Sequence, residues 1–271
     1  MRRHLCHSVP SALGAKMNTI EFLRWVLPPE GAYVAFIHSS TAGRHRQVYF
    51  DSLEELAEAA EYYDQEGCDV YFAMGNFKEK GTRRAEDVSH IRSFFLDLDC
   101  GEDKADTGKG FATQGEAIRK LQDFCVSLKL PKPLIVNSGR GLHVYWVLNE
   151  PVPVEEWKPV AEQFKRKCKE FGLEIDPAVP SDAARVLRVV GTRNHKPDIP
   201  ALVEPVNKTP DKINFDFFGS KVGIDTLTLP QKRVAEEGPS NLREAIIQNL
   251  KYNFKDILLK SSNNKGCKQL A

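Results

Sequence analysis

The stretch IRSFFLDLD, residues 91–99, constrains the fold more than any other part of the chain. Its middle is apolar at consecutive positions, which is typical of a strand buried on both faces. It ends in two carboxylates, Asp97 and Asp99. Because side chains two apart on a strand share a face, these acids lie on one side with their Cα atoms about 6.5–7 Å apart. We therefore predict a central strand that carries an acidic pair to one end of a sheet.

Two carboxylates this close repel each other and resist burial unless a cation lies between them. Ligands that are all oxygen favour Mg²⁺ or Mn²⁺ over zinc. The alternative is that Asp97 and Asp99 only end the strand in a solvated loop, since a DxD motif by itself is common.

Helices and strands alternate around this strand, so the predicted fold class is α/β (α+β), a mixed sheet with helices. Capping signals at Asn18 or Thr19, at Ser52 with Glu55, and at Thr113 with Glu116 begin three of the helices. The predicted helices run to Leu27, to about Gln65, along the apolar positions 117–128, and over about 155–171. The predicted strands cover 32–40, 46–50, 69–75, 91–99, 133–138, 142–148, 185–191 and about 201–206.

The domain organisation follows from changes in composition along the chain. Residues 1–16 are basic, lack acids and predict a disordered extension. Residues 17–205 form the main domain. The apolar periodicity of helices and strands is lost over 206–240, which predicts a linker. It returns with helical spacing over 241–271, which predicts a small helical segment or the start of a further domain.

Composition excludes several classes of protein. Of 271 residues, 41% are hydrophobic and 28% charged, and the net charge is +1, so any nucleic-acid surface must be local. The six cysteines form no CxxC pair, which argues against a zinc module or a disulfide framework and favours free thiols in a reducing cytoplasm. No apolar run approaches the roughly 20 residues of a membrane span, so no membrane partner is expected.

The hairpin NSGRGLHVYW, residues 137–146, carries a second candidate site. Its tight turn, Gly139-Arg140-Gly141, can bring bare backbone close to a phosphate. Ser138 precedes the turn and His143 follows it on the outgoing strand. A strand histidine is often only structural, but this setting favours contact with an anion.

A third signal lies in EIDPAVPSDAARVLRVVGTRNHK, residues 174–196. Asp176 follows an apolar residue and precedes proline, which predicts a strand end; Asp182 is close enough to be the relevant acid instead. Basic side chains are then interleaved with valine and leucine, where phosphate oxygens would pair with them. Salt bridges to nearby acids are the alternative. The basic set is Arg185, Arg188, Arg193 and Lys196.

Taken in order, FFLDLD, GRGLH and EID resemble the motifs of the archaeo-eukaryotic primase superfamily, specifically the primase-polymerases of phages and plasmids. The family pattern is an apolar strand ending in DxD or DxE, then a small residue, any residue and histidine, then an apolar residue and aspartate. The resemblance covers about residues 30–205, and RVLRVVGTRNHK is similar to the basic stretch of such proteins. Gly141 stands where members often carry serine.

The resemblance implies an α/β N-terminal module and an RRM-like C-terminal module with the template between them. It implies a metal-dependent primase or DNA polymerase that joins nucleotides on a template and releases pyrophosphate. Asp97, Asp99 and Asp176 would hold two Mg²⁺ or Mn²⁺ ions. The triphosphate would be bound by Ser138, Arg140, His143, Arg185, Arg188 and Lys196.

The implied partners are a single-stranded DNA template, a primer strand and NTP or dNTP, with a helicase domain or protein as a further possibility. The implied location is the cytoplasm, of the host if the gene is viral or plasmid-borne. The basic stretches Arg44–Arg46 and Lys78–Arg84 are candidate template contacts, with an ordinary solvated face as the alternative.

Two other functions stay open at this point. An inactive replication initiator of the same fold would bind nucleic acid without synthesis. A phosphatase of the haloacid-dehalogenase type would use the DxD strand, although Cys100-Gly101-Glu102 does not match its pattern. The sequence also leaves open whether synthesis starts de novo, and whether ribo- or deoxynucleotides are used.

Overall fold

The computed structural model describes residues 17–39, 43–197 and 199–229. The predicted extension over 1–16 and the predicted helical segment over 241–271 lie outside these residues.

The four predicted helices are present as α1, α2, α4 and α5, and the three with predicted caps begin at those caps. Asn18 and Glu21 form a reciprocal capping box, and the side chains of Ser52 and Thr113 accept from backbone N–H groups three residues on. The helices are α1 (Thr19–Val26), α2 (Leu53–Gln65), α3 (Glu102–Asp106), α4 (Gln114–Leu128), α5 (Val154–Phe171) and α6 (Phe215–Val222). Across the described ranges, no helix has the length and apolar character needed to cross a membrane.

The strands form two main antiparallel sheets and a small third one. They are β1 (Tyr33–Ser39), β2 (Arg44–Phe50), β3 (Asp69–Ala73), β4 (Gly75–Phe77), β5 (Val88–Leu98), β6 (Leu134–Asn137), β7 (Leu142–Pro153), β8 (Val186–Arg188), β9 (Arg193–Asn194), β10 (Ala201–Leu202) and β11 (Glu204–Pro205). The four-stranded sheet has the order β2-β1-β3-β8, the five-stranded sheet β11-β6-β7-β5-β4, and β9 pairs with β10.

The DxD strand is β5, and it has a neighbour on each side, as its apolar sequence predicted. The order β5-α4-β6-β7-α5 gives the RRM-like module, while α1, β1, β2, α2 and β3 form the α/β part that precedes it. The turn Gly139-Arg140-Gly141 joins β6 to β7 as predicted.

The two faces of the five-stranded sheet pack differently. On one face, the Phe94 ring stacks on Trp157 of α5 and on Phe218 of α6. On the other, Tyr145 packs edge-on against Phe22 of α1, which in turn contacts Phe72 of the four-stranded sheet. Because side chains alternate along a strand, Asp97 and His143 share the face of Tyr145 and lie between the two sheets.

Two predictions about local structure are wrong. The region predicted as a linker contains α6, whose Phe218 and Val222 are fully buried. Its helical spacing of apolar residues is hidden among Asp, Lys and Gly, so composition misled the prediction. Asp176 does not end a strand but lies in a loop after α5, because its carboxylate accepts from the backbone of Ala178 and closes a turn.

Candidate functional site

Strand pairing places Asp97 directly opposite His143. The two residues are register partners on β5 and β7, and His143 Nε2 lies 3.9 Å from Asp97 Oδ1. The first and second sequence motifs are therefore brought together by adjacent strands of one sheet.

Asp176 reaches the same place from a different element. The guanidinium of Arg185, just before β8, lies between the acids, with its Nη2 3.7 Å from Asp97 Oδ2 and 3.8 Å from Asp176 Oδ2. The two carboxylates cannot be farther apart than these distances combined. The structure thus brings residues of all three motifs to one point between the sheets.

Asp182, the alternative third acid, is engaged elsewhere. Its Oδ1 accepts from the backbone N–H of Ala184, and its carbonyl accepts from that of Arg185. It supports the turn that carries Arg185, whereas Asp176 faces Asp97. The geometry therefore favours Asp176 over Asp182 as a member of the acidic set.

Asp97 is the electrostatic centre of this group. Burial, together with the negative charges of Asp99 and Asp176, raises its pKa from 3.8 to about 6 against the opposing effect of Arg185 and Arg188. The acids thus outweigh the nearby cations. An acid with so perturbed a pKa beside other carboxylates is typical of a functional site.

His143 is a neutral imidazole in this setting. Burial, together with the positive charges of Arg188 and Arg185, lowers its pKa from 6.5 to about 3. Its Nδ1 lies 3.4 Å from the Tyr145 hydroxyl. One ring nitrogen of a neutral imidazole donates and the other accepts, so His143 can offer a hydrogen bond to an anion without carrying charge.

Asp99 follows β5 directly and forms an ion pair with Lys104 of α3, whose Nζ is 3.0 Å from Asp99 Oδ2. The carbonyl of Asp99 also accepts from the backbone of Phe111. Lys104 is a cation at the site that the sequence reasoning missed. Its spacing after the DxD, on a one-turn helix, is the signal that could have found it.

The absence of serine at position 141 has a steric reason. A Cβ on Gly141 would overlap the carbonyl oxygen of Leu98 and lie 3.2 Å from the Asp99 Cα. The β6–β7 turn therefore packs backbone to backbone against the acidic strand end, and only glycine allows that approach.

Gly141→Ala is accordingly expected to destabilise the chain by about 1–3 kcal/mol, because the turn must move away from Leu98 and Asp99. Urea unfolding measures this. The control is Gly115→Ala in α4, where a Cβ would make only ordinary contacts at 3.8 Å or more and the free energy of unfolding should hold or rise slightly. Equal stability of wild type and Gly141→Ala would contradict the packing argument.

The predicted phosphate-binding arginines do not act as one cluster. Arg188 is 5% exposed and its Nη1 bonds Asp69 Oδ1 at 2.5 Å, so it is not free to bind a triphosphate directly. Arg193 pairs with Asp64 at 2.7 Å. Lys196 is exposed, with its backbone N–H bonded to Asn194. Of this set, only Arg185 lies against the acids.

The turn residues are split between a buried and an exposed position. Ser138 is buried, and its carbonyl accepts from the Asn194 side chain at 3.0 Å. Arg140 is exposed and, with Cys100 and Thr113, lines a cavity of about 500 Å³ beside the end of β5. Of the two, Arg140 has the freedom to reach a ligand.

The basic stretches predicted to contact a template have mostly local partners. Arg44–Arg46 lies on strand β2 and not in a loop, with Arg46 over the Tyr63 ring. In the second stretch, Lys80 pairs with Asp51, and Arg84 with Glu86 and Asp87. For Lys78–Arg84, the structure favours the ordinary surface interpretation.

The sequence reasoning also missed a ladder of side chains across the four-stranded sheet. Strand register aligns Phe36 of β1 with Tyr71 of β3, and Tyr71 with Arg188 of β8, whose guanidinium lies 4.6 Å from the Tyr71 ring centre. His45 of β2 stacks on Phe36 at 5.4 Å. Burial raises the pKa of Tyr71 to about 12.

Among the described residues, no group of three or more His, Cys, Asp or Glu side chains is arranged to hold a metal ion. Arg185 lies against Asp97 and Asp176, and Lys104 against Asp99, so side-chain cations pair with the acids. The donor set is nonetheless all carboxylate oxygen, which suits Mg²⁺ or Mn²⁺. The excess negative charge at Asp97 also suits a cation. The three carboxylates fit such an ion once the side chains of Arg185 and Lys104 move away from them.

The fold of this chain, with its two antiparallel sheets, is similar to that of an archaeo-eukaryotic primase domain. The archaeo-eukaryotic primase domain of the cyanophage S-2L primase-polymerase superimposes with a TM-score of 0.54 at 14% identity, over 77% of this chain and 96% of that one.

Two further solved structures are more distant. One is primase RepB′, with a TM-score of 0.48 and 14% identity over 90% of this chain and 67% of that one. The other is the polymerase domain of Mycobacterium tuberculosis ligase D in complex with DNA, with a TM-score of 0.40 and 14% identity over 74% of this chain and 87% of that one. The fold assignment rests on the S-2L domain. No family model and no curated protein matches the sequence.

Proposed function

We propose that this chain is a DNA-templated nucleotidyltransferase, a primase or DNA polymerase that extends a strand from NTP or dNTP. The observation that carries the proposal is that Asp97 and Asp176, 79 positions apart in the sequence, share the guanidinium of Arg185 between two sheets. Acids from distant elements of the chain thus come together at one guanidinium.

In this proposal Asp97, Asp99 and Asp176 hold divalent cations, which lower the pKa of an attacking hydroxyl and neutralise phosphate charge. Arg185 supplies a permanent positive charge for the phosphate oxygens, since a guanidinium matches their geometry. His143 donates a hydrogen bond to the same group. Arg140, exposed at the neighbouring cavity, is placed for the outer phosphates. Catalysis is then mainly positioning and charge neutralisation.

The decisive experiment compares two acids six residues apart. Purified protein is incubated with single-stranded template, with and without an annealed primer, and with labelled dNTP or NTP and Mn²⁺ or Mg²⁺. Asp176→Asn should lower incorporation about 100-fold or more. Asp182→Asn keeps the side-chain oxygen that accepts from Ala184 and should stay within a few-fold of wild type.

Three results would contradict the proposal. Wild-type protein that binds DNA tightly without synthesis would favour an inactive initiator. Phosphate release from small phosphoesters would favour a phosphatase. Equal loss in both variants would remove the special role of Asp176. The unprimed and primed arms also distinguish de novo initiation from extension, and the two nucleotide pools report sugar preference.

We further propose that single-stranded DNA stacks on the aromatic ladder of Phe36 and Tyr71. His45, exposed on β2 and stacked on Phe36, extends this face. Stacking on an aromatic ring contributes about 1–3 kcal/mol per base, so Phe36→Ala should weaken binding of a DNA oligonucleotide about tenfold in fluorescence anisotropy. Phe217→Ala is the control, because Phe217 is an exposed aromatic residue on α6 that is not part of the ladder. Equal losses in both variants would rule out a specific role for the ladder.

A further inference from the structure

Arg185 is poorly satisfied for a guanidinium placed between two acids. Its Nη2 contacts to Asp97 and Asp176, at 3.7 and 3.8 Å, are ion pairs too long for hydrogen bonds. Its Nε is buried and has no hydrogen-bond partner in the described part of the chain. The Arg185 guanidinium is attracted to the two carboxylates by charge but forms no hydrogen bond with either, so it binds them weakly.

The neighbouring arginines behave differently. Arg188 and Arg193 bond their aspartates at 2.5 and 2.7 Å. The side chain of Arg185 is 27% exposed and can reach solvent. Arg185 is therefore the arginine of this segment whose guanidinium can change partners at low cost.

The backbone of Arg185 is held on both sides. Its N–H donates to the Asp182 carbonyl, and its own carbonyl accepts from Met74 next to β3. The adjoining Ala184 carbonyl accepts from Arg83 at 2.6 Å. A change of partner would then be a side-chain movement on a fixed backbone.

We propose that Arg185 competes with divalent cations for Asp97 and Asp176 and transfers to the triphosphate when a metal-bound nucleotide arrives. The guanidinium and the metal ion carry the same sign of charge and use the same carboxylates, so each weakens binding of the other. A metal ion alone then binds weakly, and nucleotide binding strengthens metal binding, since coupling between two ligands is reciprocal. The transfer to triphosphate rests on the proposed function; the competition for the acids does not.

The test measures Mn²⁺ binding without nucleotide, from the free Mn²⁺ signal in electron paramagnetic resonance. Arg185→Met removes the competing charge at similar side-chain length and should tighten Mn²⁺ binding about five- to tenfold, from the lost repulsion at an intermediate dielectric. Arg185→Lys keeps the charge and should stay closer to wild type. Arg24→Met is the matched control: it removes one positive charge from an exposed pair with Glu54 and should leave Mn²⁺ binding unchanged.

A second measurement, of nucleotide binding, should change in the opposite direction to Mn²⁺ binding. With saturating Mn²⁺, dATP should bind Arg185→Met more weakly than wild type, because the transferred contact is lost. Tighter Mn²⁺ binding with weaker dATP binding supports the proposal. Unchanged or weaker Mn²⁺ binding in Arg185→Met overturns it, and Arg185→Gln repeats the test should Arg185→Met fail to fold. If Arg185→Met tightens Mn²⁺ binding while wild type shows no DNA synthesis, the competition stands and the polymerase assignment falls.

Discussion

Asp97→Asn is expected to lower templated nucleotide incorporation by about 1,000-fold or more while making the folded chain more stable. Activity falls because Asp97 is the acid that faces both His143 and Asp176, through Arg185, and charge stabilisation of this kind is the largest catalytic effect in such sites. Stability rises because a half-buried carboxylate beside two other carboxylates is replaced by a neutral amide of the same shape.

The gain in stability of Asp97→Asn should depend on pH, and the direction of the pKa shift at Asp97 gives the sign of that dependence. Burial raises the pKa of Asp97 in the folded chain to about 6 from 3.8, so the folded state binds a proton more tightly than the unfolded state does. Stability conferred by the protonated form is present below the unfolded pKa and is lost as the pH rises towards the folded pKa. The advantage of Asp97→Asn should be near zero below about pH 3 and complete above about pH 7.

The measurement is the melting temperature of wild type and of Asp97→Asn across this pH range. Taking the difference between the two proteins cancels the contribution of the other titrating groups. Asp51→Asn, at an exposed ion pair with Lys80, serves as the control with no comparable trend. Parallel curves for wild type and Asp97→Asn would mean that Asp97 is not strained by its surroundings. Retained synthesis by Asp97→Asn would remove it from the catalytic set.

Asp69→Ala is expected to have the largest effect on stability, a loss of about 3–5 kcal/mol in the free energy of unfolding. Asp69 is fully buried and bonds Arg188 Nη1 at 2.5 Å, and the same oxygen accepts from the backbone of His195 at 2.9 Å. Its removal leaves a buried guanidinium without a counter-charge.

Urea unfolding tests this prediction against Asp51→Ala, whose ion pair with Lys80 is exposed and should contribute about 0–1 kcal/mol. The double variant Asp69→Leu with Arg188→Met replaces both charges with apolar side chains and should recover much of the loss. If Asp69→Ala and Asp51→Ala lower the free energy of unfolding equally, the buried pair of Asp69 and Arg188 does not hold β8 against β3.

Local signals predicted the elements of this fold well. Asn18, Ser52 and Thr113 begin their helices as expected, because a cap satisfies backbone groups within a few residues and needs no tertiary partner. Strand β5 and the β6–β7 turn follow from apolar runs and glycine. The helix α6 was missed, because Phe218 and Val222 are in a stretch whose composition resembles a linker.

The sequence by itself identified the acids and the histidine that the structure brings together, since Asp97, Asp99, His143 and Asp176 lie in short motifs with recognisable neighbours. Tertiary structure alone decided which basic side chains join them. Arg185 and Arg188 look equivalent in RVLR, three positions apart, yet one lies against Asp97 and the other is buried on Asp69. The reason is that charge pairing depends on distances set by the packing of β8 on β3, and no local pattern encodes those distances.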